Sequence, residues 1–221
     1  MANNFADLFE HSVDAMPHRV AIIQDGQRIT YHELEDRANR LAHHLASTGV
    51  GCGTHVGFQM HNSIETVQTF IACFKLAAVP VNINYRYGPE ELAYLYDNAD
   101  LEHLVYHACY GEAVRAGQQR SPRLKYLLCA ADDLAPADPG VACLAEVTAT
   151  ADGARPEVQH TPDDLFIMYT GGTTGMPKAL CGGRRTCGGS SAAESTSTAT
   201  NPSPTNTSSP APEPRPTPPP G

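Results

Sequence analysis

The chain has 221 residues, a net charge of −9 and no basic cluster, which argues against a nucleic-acid surface as its main partner. No apolar run approaches the roughly 18 residues of a membrane span, and no basic start followed by an apolar centre and a small-residue cleavage site is present. The expectation is a cytoplasmic protein with no membrane span, in which the seven scattered cysteines stay reduced because none forms a CxxC pair.

An opening helix is predicted over residues 5–16, where Phe5, Leu8, Phe9, Val13 and Met16 share one face and Pro17 stops the helix. Two short strands, 20–24 and 28–31, flank Asp25-Gly26, a strong hairpin signal. Thr30 and Glu33 form a capping box for the next helix. Its buried face carries Leu34, Ala38, Leu41 and Leu45, and Gly49 suits its C-terminal cap. Strands and helices then alternate: a strand over 55–60, an apolar helix over 63–78, a strand over 79–83, and a helix opened by Pro89 and running to Tyr96, with Tyr94 and Leu95 inward. Strands at 101–106 and 124–129 bracket a helix around 112–118. Residues 132–160 read as a long polar connection before an apolar strand at 165–169. This order predicts an α/β fold with a mostly parallel sheet and helices on both faces.

Histidines invite a metal reading, and the spacing argues against it. His43 and His44 are adjacent and diverge on a helix. His103 and His107 are four apart on a strand, roughly 13 Å, too far for one ion. Packed or solvated side chains are the expectation, and no metal site is assigned. Cys73 sits among apolar residues as a small core side chain.

The chemistry concentrates at Met168-Tyr-Thr-Gly-Gly-Thr-Thr-Gly-Met-Pro-Lys178. Glycines let backbone N–H groups turn toward a ligand, threonine hydroxyls add donors, and a lysine adds mobile positive charge. Successive inward N–H groups make an anion cradle, so capture of a polyphosphate, that of ATP above all, is the reading. A Gly/Thr surface loop without a ligand is the bland alternative. The pattern is not GxxxxGK[ST], because Met176 and Pro177 precede Lys178. It is not the dinucleotide GxGxxG turn either.

The segment resembles the phosphate loop of the adenylate-forming enzymes: acyl-CoA synthetases, luciferases and peptide-synthetase adenylation domains. They usually read Tyr/Phe-Thr-Ser-Gly-Thr-Thr-Gly-x-Pro-Lys-Gly; this chain has Gly171 in place of Ser and Ala179 in place of Gly. Thr30-Tyr31-His-Glu-Leu34, Ala38-Asn39-Arg40-Leu41-Ala42, Ala77 through Arg86, Gly88-Pro89-Glu90-Glu91-Leu92 and Asp97-Asn98-Ala99-Asp100 are similar to upstream family segments, so the resemblance covers about residues 1–180. It implies ATP-dependent activation of a carboxylic acid, a fatty or related lipophilic one, to an acyl-adenylate and then an acyl-CoA. Thr170, Gly171, Gly172, Thr173, Thr174 and Gly175 would hold the β- and γ-phosphates, with Lys178 adding charge. ATP, Mg2+ and CoA are the intact family's requirements. Its magnesium-holding acid, ribose aspartate and C-terminal-domain lysine have no counterpart after Lys178, and no catalytic residue is assigned.

After Lys178 the composition changes. Residues 179–221 contain one Leu and no Val, Ile, Phe, Met or Tyr, too little apolar area to offset the entropy of ordering. The expected domains are therefore 1–178, the N-terminal part of an AMP-binding domain, and 179–221, a disordered Gly/Ser/Thr/Pro-rich tail. One allowed codon choice for residues 178–187, AAG-GCG-TTA-TGT-GGC-GGC-AGG-AGG-ACC-TGC, gives Gly-Val-Met-Trp-Arg-Gln-Glu-Asp-Leu when read from the third base of the lysine codon. That continuation resembles some bacterial acyl-CoA synthetases, so the tail reads as out-of-frame translation. The expectation is a ligase by descent whose chain as given is inactive and whose sheet ends at its phosphate strand, leaving an edge uncovered. Two alternatives stay open: a fragment of a peptide-synthetase-type adenylation domain, and a non-enzymatic interaction module using a Pro-rich tail.

Overall fold

The computed structural model describes residues 4–161, 164–170 and 177–183. The chain opens with helix α1 (Phe5–Ala15), whose N-cap Asn4 accepts from Asp7 N at 2.7 Å. Strands β1 (Val20–Gln24) and β2 (Gln27–Thr30) form the antiparallel hairpin that Asp25-Gly26 predicts. Both turn residues hold positive φ, 49° and 82°, as the two-residue type I′ turn requires. Helix α2 (Tyr31–Ser47) starts at the expected capping box, with Glu33 N donating to Thr30 Oγ1 at 3.2 Å and Thr30 N to Glu33 Oε2 at 2.8 Å.

The main sheet is assembled from β3 (His55–Gln59), β4 (Val79–Asn82), β5 (His103–His107), β6 (Tyr126–Ala130), β7 (Ala142–Cys143), β8 (Leu165–Thr170) and β9 (Lys178–Gly183). Its spatial order is β7-β6-β5-β3-β4-β8-β9. Every pair is parallel except β8 with β9. The helices between them are α3 (Ile64–Lys75), α4 (Pro89–Asn98), α5 (Gly111–Gln118) and α6 (Leu144–Thr150).

Alternate strand residues feed two cores, which is what burial of both sheet faces demands. Val56, Phe58, Val105 and Leu128 pack with Leu41, Leu45, Cys73 and Leu76 of the α2–α3 side. Val81, Leu104, Tyr106 and Cys129 pack with Leu92, Leu95, Tyr96 and Val114 of the α4–α5 side. Gly57 in β3 leaves no room for a side chain: a Cβ there would lie 2.8 Å from Leu101 Cδ1 and 2.9 Å from Ile83 Cδ1. Pro80 sits in an interior strand, a position proline normally avoids because it cannot donate to a ladder. It is tolerated because the β8 ladder on β4 is formed by Val81 and Asn82 and does not reach residue 80.

Three expectations need correction. Tyr94 is exposed, while Tyr96 is fully buried and donates to Gln59 Oε1 at 3.2 Å; the inward stripe of α4 is Leu92, Leu95 and Tyr96, three and four residues apart. The 132–160 connection contains β7 and α6 and is tied to α2, where Arg40 Nη1 donates to Ala151 O at 2.7 Å and Asn39 Nδ2 to Gly153 O at 2.8 Å. The sheet does not end at the phosphate strand. β9 runs antiparallel along β8 from Lys178 to Gly183, so described structure continues past the expected boundary at Lys178. Leu165, Met168 and Leu180 of this hairpin are exposed.

Lys75 is the least expected core residue, 1% exposed at the end of a helix whose last turns are otherwise apolar from Phe70 to Phe74. Its Nζ meets Glu10 and, at 3.1 Å, Glu35 Oε1. Arg155 reaches the same Glu35 at 2.8 Å and Asp14 at 2.6 Å. One charge network thus joins α1, α2, α3 and the segment leading to β8.

Candidate nucleotide site

The parallel strands β3 to β6 and β8 all point the same way, so their carboxyl ends share one edge of the sheet. That edge is where ligands bind in open α/β sheets. Thr170 is the last residue of β8, and Lys178, exposed, is the first of β9. The two are register partners across the hairpin. The ends of the Thr/Gly segment are therefore pinned opposite each other at the carboxyl edge. Gly171, Gly172, Thr173, Thr174 and Gly175, assigned by the sequence to the phosphates, lie outside the described residues.

β8 is itself firmly placed. Val81 pairs with Ile167 and Asn82 with Met168 on one side, and six pairs join it to β9 on the other. Tyr169, one residue before the segment, is buried and donates to Asn98 Oδ1 of α4 at 2.7 Å. Burial pushes its phenol up to about 12, so it stays a neutral donor.

His103 and His107 occupy opposite ends of β5, both buried, and burial lowers both below the ordinary imidazole value. His103 packs flat on Tyr126, with ring centres 4.5 Å apart, and its Nε2 meets Thr48 O at 3.2 Å. His107 turns instead toward His61, which follows β3 and which the sequence reading passed over; their ring centres are 5.0 Å apart. Burial pushes the thiol of Cys73 up to about 12 and that of Cys109 up to about 11, which disfavours the thiolate at both.

A largely parallel sheet with helices on both faces, and with Thr170 and Lys178 paired at its carboxyl edge, is an open α/β fold of the kind that takes ligands at that edge. The family comparison makes this specific: the profile of the AMP-binding enzymes matches residues 9–184. The chain belongs to that family. A 3-oxocholest-4-en-26-oate–CoA ligase from Rhodococcus rhodochrous is 41% identical over 182 residues, covering 81% of this chain and 33% of the relative. A medium/long-chain-fatty-acid–CoA/3-oxocholest-4-en-26-oate–CoA ligase of Mycobacterium marinum is 40% identical, covering 81% and 34%. Among solved structures, an anthranilate CoA ligase in complex with anthranoyl-AMP superposes with a TM-score of 0.77 at 22% identity, over 83% of this chain and 35% of that one; this likeness speaks to the fold. The chain spans about a third of the length of the curated relatives it matches. Among the described residues no helix is long and apolar enough to cross a membrane.

Proposed function

We propose that this chain is the N-terminal segment of an ATP-dependent acid–thiol ligase acting on a lipophilic carboxylic acid, a fatty or steroid-derived one. In that reaction the carboxylate attacks the α-phosphorus of ATP, pyrophosphate leaves, and the thiol of CoA then displaces AMP from the acyl-adenylate. Negative charge builds on the phosphates in the first step, so donors fixed at the β- and γ-phosphates lower its barrier. Residues 170–175 supply those donors and Lys178 the positive charge. The observation that carries this reading is the Thr170–Lys178 register, which closes the segment at the carboxyl edge of the sheet. The relatives' names favour a CoA ligase over a peptide-synthetase domain.

In this reading residues 170–175 and Lys178 hold the phosphates, and the 221 residues taken by themselves do not turn over, because none of them is assigned as magnesium-holding acid, ribose contact or adenylate-facing lysine. No residue here is assigned to Mg2+ or to CoA. Calorimetric titration with MgATP tests the grip, and pyrophosphate exchange with a panel of fatty and steroid acids tests the inactivity. Binding that weakens about 10-fold or more in Lys178→Ala is expected, since a hydrogen bond to a charged group is worth roughly 1.5–3 kcal/mol. Binding indifferent to Lys178→Ala would refute the site, and exchange by the purified chain would refute the inactivity.

The frame-change reading is proposed alongside. Pairing of β9 with β8 uses main-chain groups, so Ala179 to Gly183 can occupy a strand whatever side chains the frame supplies. Sequencing the gene decides it: the reading fails if no frame after the Lys178 codon continues Gly-Val-Met-Trp-Arg.

A further inference from the structure

The geometry points to a second site on the same sheet edge: His61, Cys109 and Asp132 form a three-ligand centre for a zinc-class divalent cation. The three residues follow three neighbouring strands, His61 after β3, Cys109 after β5 and Asp132 after β6. From β3 the chain moves to β4 on one side, then crosses back to β5 on the other. The crevice between β3 and β5 is thus the topological switch point of the sheet, the place where open α/β folds take ligands. It lies on the order of 10 Å along the edge from the end of β8, two strand positions away.

One candidate ligand atom from each residue lies within 4.8 Å of the other two. His61 Nε2 is 3.5 Å from Cys109 Sγ. A tetrahedral ion with ordinary Zn–N and Zn–S bonds holds its nitrogen and sulfur about 3.5 Å apart, so this pair needs almost no rearrangement. Thiolate, imidazole and carboxylate together favour zinc over magnesium or calcium, which take oxygen ligands.

The surroundings resemble an outer shell. Tyr110 Oη lies 2.8 Å from His61 Nδ1; in the tautomer protonated at Nδ1 it accepts that proton, and the Nε2 lone pair is left for the ion. Asp132 is held by three backbone donors: Leu134 N and Ala135 N on Oδ1, both at 2.8 Å, and Cys109 N on Oδ2 at 3.0 Å. His107 supports the cluster without joining it, since its Nδ1 accepts from His61 N at 3.2 Å and its Nε2 faces Ser63 Oγ at 3.4 Å. His61 and Asp132 also line a cavity of about 520 Å³, through which an ion and an exogenous ligand can enter.

Titration of Co2+ into the reduced 221-residue chain tests this. One equivalent should give tetrahedral visible bands and a near-ultraviolet thiolate-to-cobalt band, both erased by Zn2+. Cys109→Ser should remove the thiolate band, whereas Cys52→Ser, at an exposed position, should keep it. Tyr110→Phe should keep the spectrum and weaken affinity about 10- to 100-fold, the usual cost of losing an outer-shell partner. Far-UV circular dichroism establishes that each variant is folded, and His61→Gln and Asp132→Asn give two further removals. A wild-type chain without the thiolate band, or a band unchanged in folded Cys109→Ser or folded His61→Gln, overturns the assignment and leaves an ordinary hydrogen-bonded cluster.

Discussion

Replacing Lys75 with methionine keeps most of the buried stem and deletes the charge that Glu10 and Glu35 share. Breaking a buried ion pair by removing one partner costs roughly 3–5 kcal/mol, because the surviving charge is left without compensation. The structure places this case at the lower end. Glu35 keeps Arg155 at 2.8 Å, and the Glu10 side chain is 24% exposed and can recover water. A loss of about 3 kcal/mol is expected, a shift of about 1.5 M in the urea midpoint if the slope is about 2 kcal/mol per M. Neutralising both acids in Lys75→Met/Glu10→Gln/Glu35→Gln should restore about half of the loss, since the buried groups then need no counter-charge; Arg155 retains Asp14 at 2.6 Å. Equilibrium urea unfolding followed by far-UV circular dichroism measures all three chains. A single variant within about 1 kcal/mol of wild type, or a triple variant no more stable than the single one, would falsify the argument that uncompensated charge is what the network prevents.

Other outcomes follow from the same geometry. Gly57→Ala should lower stability by about 1–3 kcal/mol, the usual cost of overpacking, because its new methyl meets Leu101 and Ile83 inside 3 Å; a thermal melt unchanged from wild type would contradict that close approach. Tyr169→Phe should cost about 1 kcal/mol through the lost bond to Asn98, and hydrogen exchange should show β8 loosened more than β5. Burial lowers His103 in the folded state, so the unfolded chain binds more protons. Its contribution is fully present above the unfolded value of about 6.5 and is lost as pH falls toward the lower folded value. His103→Phe should flatten the stability profile just below pH 6.5, and an unchanged slope would speak against a buried neutral imidazole.

Much of the fold was legible because its signals are local. The Asp25-Gly26 turn, the Thr30–Glu33 box and the 3.6-residue stripe of α2 each fall within one element. What escaped has no local signature. β7 is two residues long, and α6 buries only Leu144, too little for a period to emerge. β9 has no β-branched residue and is held by ladder bonds to β8, which composition does not announce. Tyr94 adjoins Leu95 in sequence but falls off the buried stripe set by Leu92 and Leu95, and it is exposed. The Thr/Gly segment was readable because its chemistry is contiguous from Thr170 to Lys178. The His61 cluster was not, because its members stand 48 and 23 residues apart and meet only once β3, β5 and β6 lie side by side.

Pro80 has a consequence for the growing polypeptide. During synthesis β4 emerges with β3 as its neighbour, and its other flank stays open until β8 leaves the ribosome much later. An open flank of this kind recruits stray strands from other nascent copies. A proline within it withholds one amide from any such visitor, and the β8 ladder, confined to Val81 and Asn82, never calls on that amide. The residue thus works as a gatekeeper over the interval when the half-built sheet is most vulnerable to aggregation.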